Sequence, residues 1–86
     1  MEKLVDGHLG LVRAGPAGFG NNIYIVIDEI TQEAAFIDAP DEVEKSIAAA
    51  EFAGVTPTTI MLTHSHPDHT ASITALKERY HCRLIG

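Results

Sequence analysis

The stretch TTIMLTHSHPDHT, residues 58–70, joins an apolar run to three histidines and an aspartate. The run from Thr58 to Leu62 is rich in β-branched and apolar residues, which predicts a buried strand. Imidazole and carboxylate groups together form the ordinary ligand set of a zinc-like ion, whereas either one alone indicates much less. The stretch therefore predicts a strand that leads directly into a metal site.

The spacing within the cluster indicates two groups of ligands. His64 and His66 are two residues apart, so in extended backbone their side chains leave the same face and can bind one ion. Pro67 disfavours helical backbone at His66 and suits the first turn of a following helix, which would carry Asp68 and His69 beside a second ion. Two metal ions about 3.5 to 4 Å apart can share a bridging hydroxide and polarise a carbonyl or phosphoryl oxygen, which is hydrolytic chemistry.

Two other interpretations of the cluster are open. The histidines could occupy a solvated turn and bind nothing specific, although three histidines and an aspartate between a strand and a helix count against this. A His-x-His element also opens some barrel-type metal hydrolases, but there it follows the first strand, and here at least three predicted strands precede it. His8 and His81 stand alone in the sequence, so we predict surface or packing roles for both.

The remaining sequence predicts a mixed sheet with helices on one face. A strand at Leu9–Val12 and a Gly-rich loop at Gly15–Asn22 precede a hairpin formed by Ile23–Ile27 and Ala34–Ile37. A helix follows, with Asp41 and Glu44 as a capping box and Gly54 at its end; the second helix carries Ile73, Leu76 and Tyr80, and the last strand begins at Arg83. Alternation of strands and helices after residue 40 favours parallel pairing behind an antiparallel start, hence a mixed sheet with helices on one face.

Composition and charge narrow the class of protein. The 86 residues predict one small domain, and the formal charge of −6 offers no basic stripe for nucleic acid. No stretch approaches the ~20 apolar residues that span a bilayer, so we expect no membrane partner and a cytoplasmic location. Cys82 is the single cysteine, which excludes an intramolecular disulfide and favours a buried apolar role.

The motif His64-x-His66-x-Asp68-His69 resembles the signature of the metallo-β-lactamase fold superfamily. The order of further segments is similar to the N-terminal half of glyoxalase II-like members, namely Asn22-x-Tyr24-x-Val26, "FID" at residues 36–38 and "IMLTHSHPDH" at residues 60–69. The resemblance implies an α+β fold, the αββα sandwich of that superfamily, of which residues 1–86 would form a partial domain with a mixed sheet.

The resemblance also implies a function for each motif residue. His64 and His66 would bind the first metal, Asp68 and His69 the second, and Asp68 would orient the attacking hydroxide as the catalytic residue. Asp38 would support the site or its loops. The implied activity is hydrolysis of a small-molecule ester, thioester or lactone with one or two zinc ions, although iron or manganese suits the same ligands.

The chain departs from this family in two respects. Many members have Gly three residues after the last motif histidine, where this chain has Ser72, which puts the local packing in doubt. The family's remaining ligands come from later strands, and His81 lies too early to replace them. We therefore expect a chain truncated at its C-terminus and inactive alone. The alternative is a non-catalytic metal-binding or self-associating module, in which an exposed strand edge forms a homodimer.

Overall fold

Six strands and two helices make up the fold of the computed structural model, which describes residues 1–17, 21–40, 42–63 and 72–85. The strands are β1 Glu2–Asp6, β2 Leu9–Ala17, β3 Asn21–Asp28, β4 Ala34–Ile37, β5 Thr59–Met61 and β6 Arg83–Ile85. The helices are α1 Val43–Ala53, between β4 and β5, and α2 Ile73–Tyr80, between β5 and β6.

The strands lie in the sheet in the order in which they occur along the chain. Strands β1 to β4 pair in antiparallel fashion, and β4, β5 and β6 pair in parallel. Each parallel connection passes through a helix, which is the usual form of the crossover between parallel strands. The predicted α+β class with a mixed sheet is therefore confirmed. Because β4 and β5 are parallel neighbours, their carboxyl ends lie side by side.

The core lies between the sheet and the two helices. Val12, Ile25, Phe36 and Ile60 are cross-strand neighbours on four successive strands, and all are fully buried. Helix α1 adds two alanines and α2 adds Leu76 to the same cluster. Full burial of such aliphatic and aromatic side chains contributes about 1.5–3 kcal/mol each, and the alternation of strand side chains fixes the pairing register.

The opposite face of the sheet carries no helix among the described elements. Met61 and Ile85 face that side and are 41% and 50% exposed, so helices on one face are confirmed for the described residues. Within the same residues, no helix has both the length and the apolar character needed to cross a membrane.

The N-terminal part of the sheet extends further than the sequence predicted. Strand β1 was not predicted, because all five of its residues are exposed and show no apolar alternation. The loop predicted at Gly15–Asn22 is also too long, since β2 continues to Ala17 and β3 starts at Asn21. A register shift between Ala14 and Ala17 accommodates the turn residues within the pairing.

The start of α1 differs from the predicted capping box, whereas its end agrees. The N-cap is Glu42, whose backbone is left-handed at φ 63° and whose side chain makes no capping hydrogen bond to the helix. Asp41 lies outside the described residues. Gly54 ends the helix in the left-handed region at φ 71°, and its N–H donates to the carbonyls of Ala50 and Glu51.

Cys82 is buried, as predicted. Its Sγ lies 3.3 Å from the carbonyl oxygen of Pro57, and burial raises the pKa of the thiol. A raised pKa disfavours the reactive thiolate at neutral pH. The single cysteine is therefore a packing residue of the sheet and its connections.

Candidate metal centre

The four predicted metal ligands, His64, His66, Asp68 and His69, lie outside the described residues. The structure describes the residues on either side of them, and we call Thr63, Ser72 and the residues that they contact the frame of the motif. Thr63 precedes the first ligand and follows β5, while Ser72 comes three residues after the last ligand and is the N-cap of α2. The contacts of these two flanking residues show how the two ends of the candidate site are held.

Asp38 holds the N-terminal flank of the motif. It follows β4, and its backbone N–H donates to the carbonyl of Met61 at 2.8 Å, which extends the β4–β5 pairing by one bond. Its Oδ1 accepts the backbone N–H of Thr63 at 2.7 Å, and its Oδ2 accepts the Thr63 hydroxyl at 2.6 Å. Hydrogen bonds to a carboxylate are short and about twice as strong as neutral ones. Asp38 thus fixes the residue next to His64.

Ser72 holds the C-terminal flank. Its backbone N–H donates to the carbonyl of Ala39 at 2.8 Å, and its hydroxyl donates to the carbonyl of Pro40 at 2.5 Å. The residue is only 3% exposed, so serine fits a closely packed position here. The sequence put the local packing in doubt because serine stands here where many family members have glycine. The described residues accommodate the serine, since its hydroxyl has an acceptor.

The two isolated histidines lie away from this frame. His8 is exposed in the turn between β1 and β2, and His81 is exposed at the C-cap of α2 with φ 56°. Surface roles are confirmed for both. Across the described ranges, no three His, Cys, Asp or Glu side chains come together in a way that could hold a metal ion.

One wide cavity lies on the helix-free face of the sheet and is not bordered by Asp38 or Thr63. Its polar lining includes Asp6, His8, Asp28 and Glu33. Backbone N–H groups of the following turn lower the pKa of the Asp28 carboxyl most, and the neighbouring His8 lowers it further. These groups stabilise a turn between strands, and the described part of the chain gives no second metal centre there.

The residues on either side of the motif are thus both hydrogen-bonded to residues 38–40, which follow β4 in a mixed α+β domain. The chain belongs to the Metallo-beta-lactamase superfamily, whose family profile matches residues 16–86. The resemblance inferred from the motif is thereby confirmed, and membership implies the use of a divalent metal.

Curated relatives and a solved structure agree with this assignment. The chain is 40% identical over 75 residues to the hydroxyacylglutathione hydrolase of Rhodopseudomonas palustris strain HaA2, covering 87% of the chain and 29% of that protein. It is 44% identical over 62 residues to the protein of that name from Mesorhizobium japonicum, covering 72% of the chain and 24% of that protein. The chain thus spans less than a third of these relatives.

The crystal structure of the B3 metallo-beta-lactamase BLEG-1 superposes on the chain with a TM-score of 0.71 at 25% sequence identity. The superposition covers 88% of the chain and 35% of the BLEG-1 chain. This similarity confirms the predicted metallo-β-lactamase-like fold class for the part of the fold that is matched.

Proposed function

We propose that the protein is a metal-dependent hydrolase of small acyl compounds, with a thioester as the favoured substrate and an ester or lactone as the alternatives. The relatives named hydroxyacylglutathione hydrolase support the thioester, because hydroxyacylglutathione is a thioester of glutathione. The structural observation that supports the site is the pair of hydrogen bonds that Thr63, the residue immediately before the motif, donates to the Asp38 carboxylate.

The ligand set fits a zinc-like ion by its chemistry. His64 and His66 would hold one ion, and Asp68 and His69 would hold a second, since imidazole nitrogen and carboxylate oxygen are the donors that zinc takes in proteins. Iron and manganese accept the same donors, so zinc is proposed as the first metal to test. When bound, the metal supplies a nucleophilic water at neutral pH and polarises the substrate's carbonyl.

The chain's own residues have separate parts in this proposal. The Asp68 carboxylate would accept a hydrogen bond from the attacking water and orient it toward the acyl carbon. Asp38 would act through Thr63, the neighbour of His64, whose backbone N–H and hydroxyl donate to its carboxylate. The formal charge of −6 offers no basic surface for a polyanion, which favours a small substrate over nucleic acid. A cytoplasmic location stays a prediction from the sequence.

The test is hydrolysis of a 2-hydroxyacyl thioester of glutathione by the protein at its full natural length. Thiol release would be followed with and without added zinc, and an ester and a lactone would be compared at equal concentration. His66→Ala and Asp68→Ala should each lower kcat/KM by at least about a hundredfold, as removal of a metal ligand or a water-orienting group does. His81→Ala is the matched control, since His81 is an exposed histidine away from the frame. Unchanged kcat/KM in both motif variants would exclude the mechanism.

A non-catalytic, self-associating module is the second candidate, and the position of β6 favours it. Among the described strands, β6 is the last in the sheet, and Arg83, Leu84 and Ile85 are all exposed. An open edge strand is a template for pairing with a second copy. Sedimentation velocity distinguishes the candidates: a concentration-dependent dimer without thioesterase activity supports the module, and an active monomer excludes it.

A further inference from the structure

The hydroxyl of Ser72 makes a different contact from the one usual for an N-cap serine. A serine in this position ordinarily turns its hydroxyl back to a backbone N–H of its own helix, but α2 has no such side-chain cap. The hydroxyl instead donates to the carbonyl of Pro40, 32 residues earlier in the chain. The backbone of Ser72 still starts the helix, because its carbonyl accepts the N–H of Leu76 at 3.0 Å.

Residues 38–40 therefore contact both flanks of the motif. Asp38 accepts two hydrogen bonds from Thr63, while the carbonyls of Ala39 and Pro40 each accept one from Ser72. We call residues 38–40 the anchor segment. Two of its members are fully buried, with Ala39 at 0% exposure and Pro40 among the fully buried side chains, so the anchor segment has little freedom to follow a displaced flank.

We infer that Ser72 is a positioning residue whose hydroxyl sets the place of the motif's C-terminal flank relative to its N-terminal flank. The inference rests on the proposed function, in which ligands on both sides of Pro67 bind neighbouring metal ions. Ligands held in place bind a metal more tightly than ligands that must first be ordered, because ordering them costs free energy. The Ser72 hydroxyl would thus act on metal affinity without touching metal or substrate.

A second buried serine provides the matched control. Ser46 in α1 is fully buried, and its Oγ has no hydrogen-bond partner among the described residues. Both serines lie near the start of a helix and lose one oxygen on change to alanine. Only Ser72 is bonded to the anchor segment, so the two variants separate loss of a buried hydroxyl from loss of this particular hydrogen bond.

The experiment is a cobalt(II) titration of the full-length protein and its variants at neutral pH, read by the visible absorption of the bound ion. Ser72→Ala should bind cobalt about fivefold more weakly than the wild type, the size expected for one net hydrogen bond, and should shift the ligand-field bands. Ser46→Ala should bind within twofold of the wild type, with unshifted bands. Urea unfolding of the metal-free proteins measures stability separately, since a merely structural role would change stability and leave the bands unmoved.

A second pair of variants covers the case in which Ser72→Ala fails to fold. Ser72→Thr keeps the hydroxyl, and Ser72→Val has the shape of the threonine variant without a hydroxyl. The threonine variant should therefore bind cobalt at least threefold more tightly than the valine variant. Equal affinities and identical bands within both comparisons would overturn the inference about Ser72 alone. Cobalt binding that is absent from the wild type, or unaffected by His64→Ala, would overturn the proposed function and this inference with it.

Discussion

The hydrogen bonds between Asp38 and Thr63 give a quantitative prediction that needs no metal. We consider Asp38→Ala, Thr63→Val and the double variant as a cycle. Valine keeps the shape of threonine without its hydroxyl, and the backbone N–H of residue 63 remains to donate to Oδ1. The cycle therefore isolates the hydroxyl–Oδ2 hydrogen bond, which is 2.6 Å long in the wild type.

The expected coupling energy follows from the geometry. A hydrogen bond to a charged group contributes roughly 1.5–3 kcal/mol when well shielded, but Thr63 is exposed, and solvent screening lowers the value to about 1 kcal/mol. Asp38→Ala has a further cost of up to about 1 kcal/mol, because residue 38 is left-handed at φ 65° and alanine tolerates this backbone less well than aspartate. That backbone cost occurs with either residue at position 63, so it cancels in the cycle.

The assay is equilibrium unfolding in urea of the four metal-free proteins at pH 7. Thr63→Val alone should lose about 1 kcal/mol and Asp38→Ala alone about 2–3 kcal/mol. The double variant should be more stable than the sum of the two losses predicts, by the coupling of about 1 kcal/mol. A coupling energy below about 0.3 kcal/mol, within the usual error of additivity, would refute the view that the hydroxyl–Oδ2 hydrogen bond helps to hold the motif's N-terminal flank.

Three further predictions concern residues outside the anchor segment. Gly54→Ala should destabilise the protein by about 1 kcal/mol in urea, since residue 54 has φ 71° and a methyl group there would contact nothing within 4 Å; an unchanged midpoint would contradict this. Ser46→Ala should leave stability equal or raise it by up to about 1 kcal/mol, because its buried hydroxyl lacks a partner among the described residues; a loss above about 1 kcal/mol would point to a missed hydrogen bond. The folded-state pKa of Asp28 lies below the ordinary value of 3.8, so its stabilising contribution is present above pH 3.8 and is lost as the pH falls through the lowered value. Asp28→Asn should therefore show a shallower acid loss of stability than the wild type between about pH 5 and 2, and parallel curves would exclude this role.

Strands and helix ends with strong local signals could be predicted from the sequence. The β-branched run from Ile23 to Ile27 is a strand because three of its side chains alternate into the core, and Gly54 ends α1 because left-handed backbone favours glycine. Strand β1 gave no such signal, since its side chains are exposed on both faces and its place depends on pairing with β2. Strand β1 therefore forms because it pairs with β2, and this tertiary pairing is not encoded in a local sequence pattern.

The candidate site also has a part that the sequence could predict and a part that it could not. The ligand motif is local, with four side chains within six residues, and its chemistry could be predicted from the sequence alone. The supporting contacts are not local, because Thr63 and Asp38 are 25 residues apart and Ser72 and Pro40 are 32 apart. Ser72 carried no signal for its role beyond its position after the motif. The parallel pairing of β4 with β5 is what makes these contacts geometrically accessible.

The left-handed backbone of Asp38 explains how one segment reaches both flanks. Residue 38 still pairs with β5 through its N–H to Met61, and the positive φ then turns the chain out of the sheet, with the carboxylate on Thr63 and the next two carbonyls toward Ser72. A non-glycine residue in this conformation costs about 1 kcal/mol. Such a conformation persists only where the surrounding contacts hold the residue in place. Glycine would relieve the strain but remove the carboxylate, and asparagine would tolerate the backbone but lose the charge. Aspartate is therefore the residue that meets both requirements at this position.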